Sequence, residues 1–382
     1  MLYLLLPIIA MKRVITVFLF ILIALNYVFA QDIKVFNSMK EALDDSVNVR
    51  SLDLSGKDMI ELPAEILRLK NLEEIDLESN PNLKLDKALQ LLSRLNHLKW
   101  LGLGDNKLSD IPSTIKYLTG LESLSLEDNN FTHIPESIKK LHLKSLYLFQ
   151  NNIETIHLKK GELYYLEDIN LCYNKFTRFP TELSVLPNLK GITIWYNKIS
   201  IISGKIGHFK NLDSLNIDNN NLYRVPEQLA ALTNLHHLSL RNNRLQSNSI
   251  NAVYKITSLI SLGLDGNNIT SISPQIGNLK NLQYFNISEN PVTEIPMAFS
   301  GLKKIKILGL NNLHNLDWVQ TFSVLEKLPQ LRVVGLAEMG LKKMPEGFDK
   351  LTQVKSFWIT NNSFSREEWK RIKNLLPSAK LE

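Results

Sequence analysis

A leucine motif recurs about every 23 residues through most of the chain, and this repetition restricts the fold more than any other feature. The segment beginning at Leu121, LESLSLEDNNFTHIPESIKK, has the pattern L-x-x-L-x-L-x-x-N-x-L-x-x-I-P-x-x-I. A unit this short cannot bury its leucines alone, so each turn must pack against the next and the chain must coil. Fourteen turns follow one another, beginning at Val49, Leu72, Leu98, Leu121, Leu143, Leu166, Leu189, Leu212, Leu235, Leu259, Leu282, Ile305, Leu331 and Val354.

The spacing within each turn predicts one short strand with a buried side and an exposed side. We number the first leucine of each turn as position 1. In the turn that begins at Leu121, Leu124 and Leu126 then point to one side of the strand, whereas Ser123 and Ser125 point to the other. Positions 3, 5, 7 and 8 are therefore expected on the exposed side. Equivalent positions of successive turns should form columns, with the strands parallel and about 4.8 Å apart.

Two further residue types recur along the repeats, proline in seven turns and asparagine in eleven. A proline follows an apolar residue after the strand, as in Ile111-Pro112 and Ile134-Pro135. Because proline fixes φ and lacks a donor, short helical or 3-10 turns are expected there rather than strands. Position 9 is asparagine in eleven turns, but Leu313 and Met339 occupy it in the twelfth and thirteenth turns. The asparagines are Asn80, Asn106, Asn129, Asn151, Asn174, Asn197, Asn220, Asn243, Asn267, Asn290 and Asn362.

The pattern resembles the leucine-rich-repeat family over about 315 residues, and its I-P-x-x-I returns resemble the Ras-group-like and bacterial members. The resemblance implies an α/β fold, a leucine-rich-repeat solenoid shaped as a curved horseshoe. Its concave face would be a parallel sheet and its convex face short helical or 3-10 turns. The resemblance also implies a buried ladder in which the asparagine amides bond the backbone of neighbouring turns, so these residues are structural.

The segments outside the repeats predict an exported chain with capped ends. Residues 1–30 are interpreted as a signal peptide, because Lys12-Arg13 precede an apolar run and Ala30 suits a cleavage site. Met11 is a candidate true start, and an uncleaved anchor over residues 14–30 is the alternative. We expect an N-terminal cap over residues 31–48, repeats over 49–364 and a C-terminal helical cap over 365–382. The predicted location is the periplasm or the outside of the cell, without stable membrane insertion once the signal is cleaved.

Charge and motif content argue against several function classes. The formal net charge of +6 falls to +4 without Lys12 and Arg13 of the expected signal peptide, which is too small to imply nucleic-acid binding. Cys172 is the single cysteine, which excludes an intrachain disulfide. His236 and His237 are neighbours on one strand and should point to different sides, so no metal site is predicted. Because no catalytic groups converge, we expect no enzyme activity and no cofactor. A monomer is expected.

Two surfaces on the concave face are candidates for ligand contact. The aromatic patch comprises Tyr147, Phe149, Tyr173, Trp195 and Tyr196 in turns five to seven, with Asn170 and Asp218 as polar neighbours. Its aromatic residues could anchor a ligand, or could pack on one another to stabilise the sheet. The acidic strip comprises Asp53, Asp76, Glu78, Asp105, Glu127 and Asp128 in turns one to four. It could dock a basic partner or serve only solubility.

These surfaces lead to three functional hypotheses. The first is a non-enzymatic exported recognition scaffold that binds a protein or peptide partner through the concave face. The second is a glycan or cell-wall binding module that uses the same aromatic patch. The third is a structural spacer, in which no concave side chain contributes to binding.

Overall fold

A computed structural model describes residues 34–382, in which sixteen short parallel strands form one sheet in strict chain order. This confirms the predicted solenoid. The expected signal peptide, the candidate start at Met11 and residues 31–33 lie outside the described residues. Within residues 34–382, no helix is both long enough and apolar enough to cross a membrane.

The strands are two or three residues long; each turn contributes one strand, and each cap contributes one more. They are β1 (Val35–Phe36), β2 (Ser51–Asp53), β3 (Glu74–Asp76), β4 (Trp100–Gly102), β5 (Ser123–Ser125), β6 (Ser145–Tyr147), β7 (Asp168–Asn170), β8 (Gly191–Thr193), β9 (Ser214–Asn216), β10 (His237–Ser239), β11 (Ser261–Gly263), β12 (Tyr284–Asn286), β13 (Ile307–Gly309), β14 (Val333–Gly335), β15 (Ser356–Trp358) and β16 (Lys380–Leu381).

The register of the sheet explains where the core lies. Leu101, Leu124 and Leu146 occupy the central position of consecutive strands and pair directly. All three are fully buried. Because every strand repeats this register, each turn stacks its leucines on those of the next, and the core runs continuously along the solenoid.

The convex side is built mainly from 3-10 helices, as the prolines predicted. Those in the described residues are Ala64–Arg68, Ser113–Tyr117, Glu136–Ile138, Thr181–Val185, Gly204–His208, Glu227–Ala231, Ser247–Ile250, Val253–Lys255, Pro274–Asn278, Met297–Gly301 and Phe348–Lys350. Each closes the core with an apolar side chain; Ile115 and Ile206, for example, are fully buried.

Four α-helices complete the described chain: α1 (Met39–Asp44), α2 (Leu85–Leu92), α3 (Trp318–Leu325) and α4 (Arg366–Leu375). The helices α2 and α3 lie in the turns that begin at Leu72 and Ile305, which are three residues longer than most turns. The extra residues give room for an eight-residue helix in place of a 3-10 turn. The buried residues of α2 are spaced to form one helical face.

The helices α1 and α4 each begin at a serine that caps their first turn. The Ser38 hydroxyl accepts from the Glu41 backbone N–H at 3.2 Å, and the Ser365 hydroxyl accepts from the Glu368 N–H at the same distance. The strands β1 and β16 were not predicted. They pair with the first and last repeat strands, so each cap extends the sheet as well as covering the core.

The asparagine ladder connects each turn with its neighbours. The Asn220 amide donates to the Ile194 carbonyl of the preceding turn at 3.1 Å, and its oxygen accepts from the Ile199 N–H at 2.9 Å. The ladder lapses at Leu313, which takes the place of asparagine in the twelfth turn. There the Leu313 N–H points to the Met339 sulfur at 3.3 Å, a weaker acceptor than an amide oxygen.

Replacing one ladder amide should destabilise the solenoid. Asn220→Leu leaves the buried Ile199 N–H and the Ile194 carbonyl without this partner, and each loss costs about 1 to 3 kcal/mol. We expect an unfolding free energy lower by about 2 to 5 kcal/mol, measured by urea denaturation. Asn219→Gly, at the adjacent position, is the matched control and should change stability by less than about 1 kcal/mol. Equal losses in both variants would contradict the ladder's role.

Candidate functional site

Position 8 adopts left-handed backbone in all fourteen turns, with φ between 48° and 66°. This conformation favours glycine and asparagine, and twelve turns have Gly, Ser, Asp, Gln, Asn or Glu there. Tyr173 (φ 51°) and Tyr196 (φ 52°) are the exceptions. Aromatic side chains at such positions carry a backbone cost of order 1 kcal/mol, which other interactions must offset.

Four rings of the aromatic patch offset part of that cost by packing together. Tyr173 and Tyr196 are stacked, with centroids 4.5 Å apart and an interplanar angle of 13°. Trp195 meets both rings edge to face at 5.0 and 5.2 Å, and Phe149 lies 5.1 Å from Tyr173. Tyr173 remains 39% exposed, and the other three rings are half-buried. The rings therefore stabilise one another and still form part of the concave surface.

Tyr147 is the member of the aromatic patch for which no ring contact with the other four is observed among the described residues. It lies half-buried on β6, at position 5. Burial raises the pKa of its hydroxyl, and the nearby carboxylates of Asp168 and Glu127 add to the rise. Tyr147 thus lies between the ring cluster and the acidic strip.

Cys172 occupies position 7 of the sixth turn, a position expected on the exposed side of the strand, but the structure corrects this expectation because the residue is fully buried. Phe149 and Trp195 occupy the same column on the turns before and after it. Their backbones should be roughly 10 Å apart, two strand spacings, yet their ring centroids are 6.0 Å apart. The two rings therefore lean towards each other over the intervening turn. Burial raises the pKa of the Cys172 thiol well above its usual range, so it is no nucleophile at neutral pH.

The two polar neighbours of the aromatic patch are engaged within the protein. The Asn170 side-chain oxygen accepts from the Cys172 N–H at 3.0 Å. Asp218 was expected to present a carboxylate to a ligand, but it is only 7% exposed. Its Oδ1 accepts from the Ser239 hydroxyl at 2.6 Å and from the Arg241 N–H at 2.8 Å. Asp218 is therefore a buried structural residue below the concave surface, and its carboxylate is not free to contact a ligand.

Sequence reasoning missed Arg241 and Asp265, which continue the column of Trp195 and Asp218. Arg241 Nε donates to Asp265 Oδ2 at 2.6 Å, and both side chains are largely buried. Gly263 makes room for Arg241, since a Cβ there would lie 3.1 Å from Arg241 Cγ. Asp218, Arg241 and Asp265 form a charged triad, and their alternating signs at position 7 of three successive turns are the sequence signal that could have revealed it.

Desolvation controls the protonation of the triad. Burial raises the pKa of Asp218 from 3.8 to about 6, against the opposing effect of the Arg241 guanidinium. The pKa of Asp265 is raised for the same reason. The second carboxylate oxygen of Asp265 is buried without a hydrogen-bond partner among residues 34–382. One guanidinium thus neutralises two buried carboxylates only in part.

The acidic strip is a continuous patch of negative charge. Burial raises the pKa of Glu78 and Glu127, and repulsion from Asp76, Asp105 and Asp128 adds to the rise in Glu78. The pKa of Asp53 is lowered instead, chiefly by hydrogen bonds from Ser55.

No lysine or arginine of the described chain forms an ion pair with a carboxylate of the acidic strip. Glu78 and Asp105 are exposed, and the other four side chains are half-buried. The negative charge of this surface therefore remains open to a cationic partner.

The thiol of Cys172 provides a test of the ring arrangement. Trp195→Ala should uncover it, and its reaction with a thiol reagent at neutral pH should accelerate by at least about tenfold over that of the native chain. Tyr284→Ala, another half-buried concave aromatic five turns away from Cys172, is the control and should leave the rate unchanged. Equal rates for Trp195→Ala and the native chain would show that the rings do not cover the thiol.

The raised pKa of Asp218 predicts a pH-dependent stability. Between about pH 3.8 and 6 the folded state holds a proton on Asp218 that the unfolded chain releases. The contribution of Asp218 to the free energy of unfolding is therefore largest below this pH range and is lost as pH rises through it. Asp218→Asn has no carboxylate to ionise and should not lose stability in this way. The unfolding free energy of the variant minus that of the native chain should therefore increase by about 2 to 3 kcal/mol from pH 4 to 7, measured by urea denaturation.

Ser239→Ala is the control for this pH dependence. It removes one hydrogen-bond donor to Asp218 but keeps the carboxylate. Because the Ser239 hydroxyl lowers the pKa of Asp218, the variant should keep a pH dependence of the same sign and at least the native size. A constant difference between Asp218→Asn and the native chain over this pH range would contradict the assignment.

Comparisons with known proteins agree with this architecture. A family model described as a leucine-rich repeat region matches residues 240–378, and a leucine-rich-repeat model matches residues 96–153 and 164–222. A leucine-rich-repeat protein of Leptospira interrogans is 26% identical, with a TM-score of 0.72, over 91% of this chain and 99% of that one. An internalin (InlF) of Listeria monocytogenes is 24% identical, with a TM-score of 0.60, over 89% and 88% of the two chains.

More distant likenesses concern the fold alone. TLR13, in a complex with the RNA ssRNA13, is 17% identical with a TM-score of 0.61, over 88% of this chain and 68% of that one. A search of the curated proteins finds no match to the sequence. The repeat pattern, the sixteen-stranded parallel sheet and the family matches together establish that the chain belongs to the leucine-rich-repeat family and is of the bacterial type.

Proposed function

We propose that the protein is a non-enzymatic recognition scaffold that binds a peptide segment of a protein partner through the aromatic patch. The observation that carries the proposal is the placement of Tyr173 and Tyr196 at left-handed positions on the concave face. Retaining two aromatic side chains against the local backbone preference supports a role beyond the fold. Clustered aromatic rings that remain partly exposed are typical anchors of binding interfaces.

The acidic strip supports a basic partner. It lies on the same concave side as the aromatic patch, and Glu127 is close enough to Tyr147 to raise the pKa of the tyrosine hydroxyl. A segment with an apolar or aromatic side chain beside lysine or arginine would satisfy both surfaces. The rings would supply contact area, and the carboxylates would orient the segment and speed its association.

The family supports a role in binding rather than catalysis, since leucine-rich-repeat folds are in general interaction scaffolds. The burial of Cys172 and the internal engagement of Asp218 also speak against nucleophilic or acid–base chemistry at this patch. We further propose that the chain acts without a cofactor, as a monomer and without nucleic acid as ligand.

Export through residues 1–30 to the periplasm or the outside of the cell is part of the proposal. It rests on the sequence pattern of that segment alone.

Glycan binding through the same rings is less well supported. Sugar rings stack on open aromatic faces, whereas Tyr173 and Tyr196 each use one face on the other. Phe149 and Trp195 also direct ring edges and faces at their neighbours. A ridge of packed rings suits the side chains of a peptide better than it suits a flat sugar platform.

The binding test uses residues that position 8 already accepts elsewhere. Tyr173→Asn combined with Tyr196→Asn installs the side chain that the next two turns have at this position, so the fold should be retained. Peptides would be selected from a phage-displayed random dodecapeptide library on the full-length chain, and their affinities measured by fluorescence polarisation. We expect selected peptides rich in lysine or arginine, and at least about tenfold weaker binding by the variant.

Glu338→Asn is the control because it changes position 8 in a turn remote from the aromatic patch. It should bind the selected peptides as the native chain does. A library that yields no binding peptide, or peptides that the double variant binds equally well, would refute the proposed site. Tryptophan fluorescence that responds to soluble glycans instead of peptides would assign the patch to sugar recognition.

A further inference from the structure

A column of charges runs along one edge of the sheet at position 2. In the first eight turns their signs alternate without interruption: Arg50, Glu73, Lys99, Glu122, Lys144, Glu167, Lys190 and Asp213. Glu73 forms ion pairs with Arg50 and with Lys99 (2.7 Å), Glu122 pairs with Lys144 (2.9 Å) and Glu167 pairs with Lys190 (2.7 Å). In the ninth turn, the His236 ring lies 2.6 Å from the Asp213 carboxylate. The first eight turns thus neutralise their own edge.

The column changes character near the C-terminus. After two uncharged turns it continues with Lys306, Arg332, Lys355 and Lys380, which are all cationic. The backbone hydrogen bonds join these four residues in sequence, because each carbonyl of the first three accepts from the N–H of the next. The four charges are therefore anchored on adjacent strands, over roughly 14 Å. We call these four residues the cationic row.

The cationic row has little internal compensation. Lys380 pairs with Glu382 at 2.7 Å. No carboxylate of residues 34–382 lies within ion-pair distance of Lys306, Arg332 or Lys355, and all three are exposed. Adjacent like charges repel, and the preceding turns show that this column accepts acids without disturbing the sheet. The fold itself therefore does not require the cationic row.

Arg332, in the middle of the cationic row, is held in one orientation. Its Nη1 donates to the carbonyls of Pro329 and Leu331 at 3.0 Å and to that of Gln353 at 3.3 Å. Its Nε and Nη2 donate to no described residue. A guanidinium fixed by one nitrogen, with two others free, can hold an oxyanion through paired hydrogen bonds.

We propose that the cationic row binds a linear sulfated glycan, on a surface separate from the concave face. A straight series of cations on successive strands matches a polymer with regularly spaced sulfates. Its neighbours at position 3 are Ile307, Val333 and Ser356. None is aromatic, whereas single-stranded nucleic acids are held largely by stacking of their bases on aromatic rings. Residues 301–382 contain 14 lysines and arginines against 8 acids, which adds a favourable field.

The experiment gives the cationic row the alternating charges of the first eight turns. Lys306→Glu combined with Lys355→Glu gives each remaining cation of the row an acidic neighbour, so the fold should be retained. Binding of a size-defined heparin oligosaccharide to the full-length chain would be measured by calorimetry at about 0.15 M salt. We expect binding by the native chain and at least about tenfold weaker binding by the double variant. Lys70→Glu combined with Lys116→Glu makes the same change in net charge at exposed sites elsewhere and should bind heparin within about twofold of the native chain.

Three outcomes would overturn the proposal: no binding of heparin by the native chain, equal losses in the two double variants, or oligodeoxythymidine bound as tightly as heparin through the cationic row. The last result would assign the row to nucleic acid. Arg332→Lys separates oriented recognition from charge alone, because it keeps the charge but loses the planar fork. A loss of several-fold with Arg332→Lys supports the proposed contact. Binding of the peptides selected on the concave face should be unchanged in every variant of the row.

Discussion

The turn after each strand is the constraint on which the concave surface depends. At position 8 the backbone becomes left-handed, and at position 9 an asparagine amide fastens the turn to the preceding one. The backbone N–H at position 8 also donates to the carbonyl at position 7 of the next turn; the Tyr196 N–H, for example, donates to the Asp218 carbonyl at 3.1 Å. The side chains at positions 7 and 8 thus start from a fixed, repeated backbone. Their arrangement is set before any ligand arrives, so little conformational entropy should be lost on binding.

Most of the fold could be predicted from the sequence because its determinants recur from turn to turn. Leucines with period two indicate the strands, prolines indicate the convex turns, and asparagines indicate the ladder. The strands β1 and β16 could not be predicted, because a two-residue strand in a cap has no repeat of its own. They form because the end strands of the repeats present unpaired backbone groups that the caps can satisfy.

The candidate site was predicted less completely, and for a physical reason. A column map assigns a side chain to a face but says nothing of its depth. Phe149 and Trp195 are large enough to lean together, so the small Cys172 between them is buried. Asp218 is similarly buried, because its carboxylate is held by Ser239 and by the backbone of the next turn. Neighbours in a column therefore decide which residues a ligand can reach.

The same nearest-neighbour logic explains how one chain can hold surfaces of opposite charge. Each turn contacts mainly the turns beside it, so the pattern along one column can change without altering the core. Position 2 alternates in sign through eight turns and is cationic from Lys306 onwards, while the register of β13, β14 and β15 stays unchanged. Position 7 passes from the carboxylates of the acidic strip to aromatic rings and then to the buried triad. Because the stability of the solenoid resides in the leucine core and the asparagine ladder, departures from neutral alternation at its surface point to what the surface binds.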